Sequence, residues 1–135
     1  MAFFALCAKI LLRKTTHNSP KKGSFCYAKA MVTKMSVKVI NKANFEELKN
    51  GDKPLLIDFY AVWCGPCRMV APIIEEVAEE RDDIVVGKVN VDEEPELAAA
   101  FGVVSIPTLV VLKDGKIFNK AMGAMPFDDI IDLLP

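Results

Sequence analysis

The stretch LLIDFYAVWCGPC, residues 55–67, joins an apolar run to a pair of closely spaced cysteines. Pro54 introduces the run, and LLIDFYA (55–61) has the length and the bounding turn signals of a buried central strand. After WCGPC, residues 68–81 set Met69, Ile73 and Val77 at helical spacing, with Glu75, Glu76, Glu79 and Glu80 on an acidic outer face. Pro72 falls inside this helix and removes one backbone donor, which predicts a kink. Residues 84–91 return to a strand pattern. Strand, helix and strand over 55–91 make a βαβ unit, so the two strands run parallel and the helix covers one face.

The flanks extend this unit. Upstream, Val37 to Ile40 reads as a short strand, Asn44 as a helix cap with Glu47 three residues on, and Asn50-Gly51 as the stop. Downstream, a short helix starts near Glu93-Glu94-Pro95 and ends at Phe101-Gly102. Residues 108–112 and 116–121 flank Asp114-Gly115, a strong hairpin signal, and 126–134 form a last short helix. The predicted class is α/β, a central mixed β-sheet flanked by helices on both faces. The chain shows no internal repeat and no low-complexity segment.

Charge divides the 135 residues near position 35. Residues 1–35 hold Lys9, Arg13, Lys14, Lys21, Lys22, Lys29 and Lys34 and no acid. That leaves 10 basic against 18 acidic residues in 36–135, a net charge of −8. An acidic domain has little with which to neutralise phosphates, so no nucleic-acid partner is expected. No apolar stretch approaches the ~20 residues of a membrane-spanning helix, so no membrane partner is expected either. Three readings of residues 1–35 stay open: a dispensable tail or mis-assigned start ahead of Met35, an organelle transit peptide, or a secretory signal. The lack of acids favours a transit peptide, but Arg13 is the only arginine there, and the apolar residues do not form one helical stripe. The expected division is a basic extension, 1–35, and one domain, 36–135.

Cys7 and Cys26 lie apart in that extension, so only Cys64 and Cys67 are paired in sequence. Such sparse usage suits a reducing compartment, and the expected location is cytoplasmic, or mitochondrial or another organelle if 1–35 is a transit peptide. The pair admits a metal half-site, a reversible disulfide, or two buried thiols by coincidence. A structural zinc needs four ligands, and the only histidine, His17, is in the extension, so no metal is expected. Gly65 and Pro66 between two buried thiols would serve no packing purpose. At a strand-to-helix junction, by contrast, Cys64 sits at the helix N-terminus and Cys67 one turn in, on the same face and within disulfide reach. Unpaired amides and the helix dipole favour the Cys64 thiolate, Pro66 stiffens the first turn, and Trp63 offers an apolar face beside the sulfur. Cys64 is then the nucleophile and Cys67 the resolving thiol. Asp58, in the middle of the strand, is out of place without a partner or a task. As a desolvated carboxyl with a raised pKa it can exchange a proton with Cys67.

WCGPC after a strand, inside a βαβ unit, resembles the thioredoxin family, and the resemblance covers residues 36–135. It implies a thioredoxin-like fold and a protein-disulfide reductase that maintains cell redox homeostasis by dithiol–disulfide exchange. It assigns Asp58 as proton acceptor and pairs it with Lys88, which alone reads as a charge on a solvated strand face. In SIPT (105–108) it implies that Pro107 is cis, packed on the disulfide, and that the backbone of Ile106 pairs with an extended substrate peptide. Gly123 matches a family glycine whose missing side chain admits substrate; alone it is a turn glycine. The Gly-Pro dipeptide matches reducing members. Tyr60 departs from the family's usual tryptophan, Val104-Ser105 from its commoner charged or glycine pair, and the last helix is short.

The resemblance further implies a monomer with no bound cofactor, whose redox-active disulfide Cys64–Cys67 is recycled by an NADPH-dependent thioredoxin reductase. The substrates are disulfide-containing proteins. Two other classes fit the cysteines less completely, a binding module that presents Trp63, Ile106 and Gly123 without turnover, and a thiol carrier of a soft metal. Neither accounts for Asp58, Lys88 and Pro107 together.

Overall fold

The computed structural model describes residues 36–135. The expectations for residues 1–35, with Cys7, Cys26 and His17, fall outside the described residues. The elements are β1 (Lys38–Val39), α1 (Lys42–Lys49), β2 (Leu55–Tyr60), α2 (Gly65–Glu80), β3 (Val85–Asn90), α3 (Pro95–Ala100), β4 (Thr108–Lys113), β5 (Lys116–Met122) and α4 (Phe127–Leu133). They build a five-stranded sheet in the order β1-β3-β2-β4-β5. β2 runs parallel to β3 and antiparallel to β4, and β4 pairs antiparallel with β5 across Asp114-Gly115. Both turn residues have positive φ, 53° and 74°, which this hairpin connection demands.

Strand alternation decides which layer each side chain joins. Leu55, Ile57 and Phe59 of β2 turn to one face and pack with Phe45 of α1 and Leu97 of α3. Leu56 turns to the other and packs with Val70, Ile74 and Val77 of α2 and Ile130 of α4. Asp58 and Tyr60 share the parity of Leu56, so the pleat aims the carboxylate at the face that α2 covers.

Two local expectations change. α1 is capped by Asn41, whose side chain accepts from the amides of Ala43 and Asn44, while Asn44 sits at N3 and its Oδ1 accepts from Asn41 N. An asparagine thus fills the place that Glu or Gln usually takes in a capping box. In α2 the helix begins at Gly65 and is continuous through Pro72, and its buried stripe is Val70, Ile74, Val77 and Ala78. Met69 is exposed and Ile73 only half-buried, because the neighbouring row, one residue on, faces the sheet.

Gly87 of β3 lies beside Lys38 of β1. A Cβ there would overlap Ile40 Cδ1 and come within 2.6 Å of Ile40 Cγ1 and 3.2 Å of the Lys38 carbonyl. Ile40 is 1% exposed and has no open space to swing into. Gly87→Ala is expected to cost about 1–3 kcal/mol, read as a lower urea midpoint with an unchanged slope.

Candidate functional site

The site forms where the chain leaves the carboxyl end of β2. Cys64 adopts φ −83° and ψ 113° as the N-cap of α2, and its Sγ accepts the Cys67 amide at 3.3 Å. One of the donors that every helix start leaves unpaired is thereby met by sulfur. Gly65 and Pro66 fill the first helical positions, and Pro66 has no amide to leave unpaired there. Cys64 and Cys67 are joined as a disulfide with their Cα atoms 5.3 Å apart. Both residues are buried, among Ala61, Tyr60, Val91 and Ile106.

The Ile106–Pro107 peptide is cis, the isomer the resemblance implied, and it turns the Ile106 carbonyl to within 3.9 Å of Cys64 Sγ. Pro107 is buried, its carbonyl accepting the Gly123 amide at 2.8 Å. Gly123 has φ 96°, a conformation that side chains disfavour, and among the described residues no heavy atom beyond its chain neighbours lies within 4 Å of where its Cβ would be. Trp63 is 68% exposed, and its indole N–H donates to Asp92 Oδ2 at 2.9 Å. Between Trp63, the end of α3 and residues 103–106 lies an open groove of about 360 Å³. Among the described residues its walls carry no charged side chain, and Val104, 86% exposed, forms part of them.

Asp58 is 4% exposed, and its Oδ1 has no hydrogen-bond partner among the described residues. Burial pushes its pKa up from 3.8 to about 7, and the positive charge of Lys88 opposes the shift. Lys88 is the register partner of Asp58 on β3, but its ammonium stands 5.7 Å from the Tyr60 ring centroid, and no ion pair joins it to Asp58. The implied pairing is therefore a through-space one. Asp58, Tyr60, Cys67, Glu75 and Lys88 line one cavity of about 60 Å³, room for water beside the carboxyl. Burial is also the main reason that the Tyr60 phenol titrates above its ordinary value, with the charges of Glu93 and Asp58 acting in the same sense.

Every site residue expected from the sequence lies on this end of the sheet or in the loops beside it. Sequence reasoning missed Asp92, which holds the indole, and Arg68, whose Nη2 donates to the Val62 carbonyl at 2.9 Å. Asp92 just past β3 carried a weak signal as an acid at a strand end; Arg68 carried none. Among the described residues no cluster of His, Cys, Asp and Glu is fit to hold a metal ion, and no helix is long and apolar enough to cross a membrane.

A disulfide that caps a helix, a buried carboxyl behind it and a cis-proline against it define a dithiol–disulfide oxidoreductase. The thioredoxin family model matches residues 36–135. A thioredoxin of Alicyclobacillus acidocaldarius is 48% identical over 92 residues, 67% of this chain and 88% of that protein. One from Listeria monocytogenes is 44% identical over 99 residues, 73% of this chain and 95% of that protein. Among solved structures, a point mutant of a Halobacterium salinarum thioredoxin superposes with a TM-score of 0.70 at 35% identity, over 75% of this chain and 89% of that one. The chain belongs to the thioredoxin family. It is a protein-disulfide reductase that works by dithiol–disulfide exchange through Cys64 and Cys67, and the family needs no bound cofactor.

Proposed function

We propose the following division of labour for that exchange. In the reduced protein the Cys64 thiolate attacks one sulfur of a substrate disulfide, forming a mixed disulfide and expelling the other sulfur as a thiolate, which takes up a proton. Cys67 passes its proton to Asp58 and attacks Cys64 Sγ. The second substrate sulfur leaves, and the Cys64–Cys67 disulfide has received the oxidation. Two electrons reach the substrate from the two thiols. Ile106 offers its backbone to an extended substrate chain, cis-Pro107 holds that backbone against the sulfurs, and Gly123 leaves the approach open. Trp63, fixed by Asp92, walls one side, and Lys88 tunes Asp58 through space.

The single observation that carries this reading is the Cys64 sulfur itself, bonded to a helix amide while in contact with the Ile106 carbonyl. We further propose that the protein acts as a monomer, that an NADPH-dependent thioredoxin reductase recycles it, and that its compartment is the cytoplasm. If residues 1–35 serve as a transit peptide, the compartment is mitochondrial or another organelle instead. The test is insulin-disulfide reduction with NADPH and a thioredoxin reductase. NADPH consumption that depends on this protein supports the scheme. A folded protein with both thiols free and no turnover would overturn it in favour of a binding module.

A further inference from the structure

α3 ends in a Schellman motif. The Val103 amide donates to the Ala98 carbonyl at 3.0 Å and the Gly102 amide to the Ala99 carbonyl at 3.0 Å, with Gly102 at φ 60°. This closure leaves the carbonyls of Phe101 and Gly102 beyond the reach of any helix amide. Both are taken by one group, the ammonium of Lys120, at 2.8 and 2.9 Å. A cation there also meets the negative end of the helix dipole. Lys120 comes from β5, opposite Val110, and no carboxylate competes for it among the described residues.

The same strand fastens the rest of the loop between α3 and β4. Met122, two residues on and therefore on the same face as Lys120, accepts the Ser105 hydroxyl at its sulfur, 3.7 Å away. Gly123 donates to the Pro107 carbonyl at 2.8 Å, and within the loop Thr108 Oγ1 donates to the Ser105 carbonyl at 2.6 Å. Residues 101–107 are thus held to β5 at their start and middle, and at their end to Gly123 just past the strand. The attachment at the start rests on Lys120. What this loop delivers is the Ile106 backbone, beside Cys64, and the Val103–Ile106 wall of the groove.

We propose that Lys120 is a positioning residue for protein substrates: by holding the carbonyls of Phe101 and Gly102 it sets where the Ile106 backbone meets the substrate chain. The proposal rests on the reductase reading of the site. Lys120 touches neither sulfur, so its effect falls on recognition of an extended peptide and spares the exchange step.

The test uses the full chain, reduced beforehand, in single turnovers against increasing insulin and, separately, against 2-hydroxyethyl disulfide, which has no peptide backbone. Lys120→Met keeps the aliphatic stem and removes the donor. It is expected to raise the half-saturating insulin concentration roughly three- to tenfold, with the limiting rate within about twofold and the small disulfide unaffected. Lys120→Arg restores insulin recognition, and Lys120→Gln, with one donor group, falls between. Unchanged insulin saturation in Lys120→Met overturns the proposal. So does an equal loss on both disulfides alongside a lowered melting temperature, which marks a purely structural role. If the unaltered protein reduces no insulin at all, it is the reductase reading that fails.

Discussion

Cys64→Ser lowers insulin-disulfide reduction by roughly a thousandfold or more, to the level of the uncatalysed background. The loss is chemical and not conformational. Serine is among the preferred N-cap residues, so its hydroxyl can accept the Cys67 amide in place of sulfur and keep the start of α2 intact. Circular dichroism should show the helical content unchanged. Cys67→Ser separates the two half-reactions. Cys64 can still attack, but no thiol remains to resolve the product, so a covalent adduct with substrate accumulates. Non-reducing gels show it as a band that dithiothreitol removes. Residual turnover in Cys64→Ser beyond a few per cent would mean that another group makes the first attack.

The second large effect belongs to Asp58, and it appears in both stability and rate. Unfolded, this carboxyl ionises around pH 3.8; folded, around pH 7. Between those values the folded chain holds a proton that the unfolded chain has released. Stability therefore falls as pH rises from about 4 to about 7, then levels off, and the total for this group is about 4 kcal/mol. Asp58→Asn removes the titration while keeping the shape. It should match the parent near pH 4 and exceed it by about 2–4 kcal/mol at pH 8, part of the gain being offset by burying an amide. Urea unfolding of the oxidised protein at pH 4, 6 and 8 measures the difference. A parallel pH dependence in both proteins would show that Asp58 is not the group responsible. On the proposed role of Asp58 as proton acceptor for Cys67, the same substitution is expected to slow resolution of the mixed disulfide roughly ten- to a hundredfold at pH 7, and the rate to lose its inflection near that pH.

Local chemistry made much of this legible. The apolar run of β2, the Asp114-Gly115 turn and the cysteine spacing each have a short-range cause, and each stands where the sequence places it. Asp58 could be singled out because a carboxyl in a central strand contradicts its surroundings. The errors lie where two neighbours compete on nearly equal terms. Asn41 and Asn44 can each cap α1, and the outcome turned on a reciprocal bond between them. Met69-Ile73 and Val70-Ile74 are adjacent helical rows, and only the sheet decides which is buried. The first row instead helps line a groove beside Ala124, Met125 and Pro126. Partners distant in sequence left no trace at all. Nothing near Trp63 names Asp92, nothing near Phe101 names Lys120, and Lys88 shows its preference for the Tyr60 ring only once β2 and β3 are side by side.

The sulfur of Cys64 is at once half of the redox couple and the cap of α2, and the two roles form one thermodynamic cycle. Each interaction that favours the free thiolate over the bonded sulfur makes the reduced protein reluctant to give up its electrons. Every 1.4 kcal/mol of such preference raises the midpoint potential by about 30 mV. An additional amide or cation aimed at Cys64 would hold more of it as thiolate and make the protein a poorer electron donor. The single amide of Cys67 that now caps the sulfur therefore helps to set where this protein stands among its electron-exchanging neighbours.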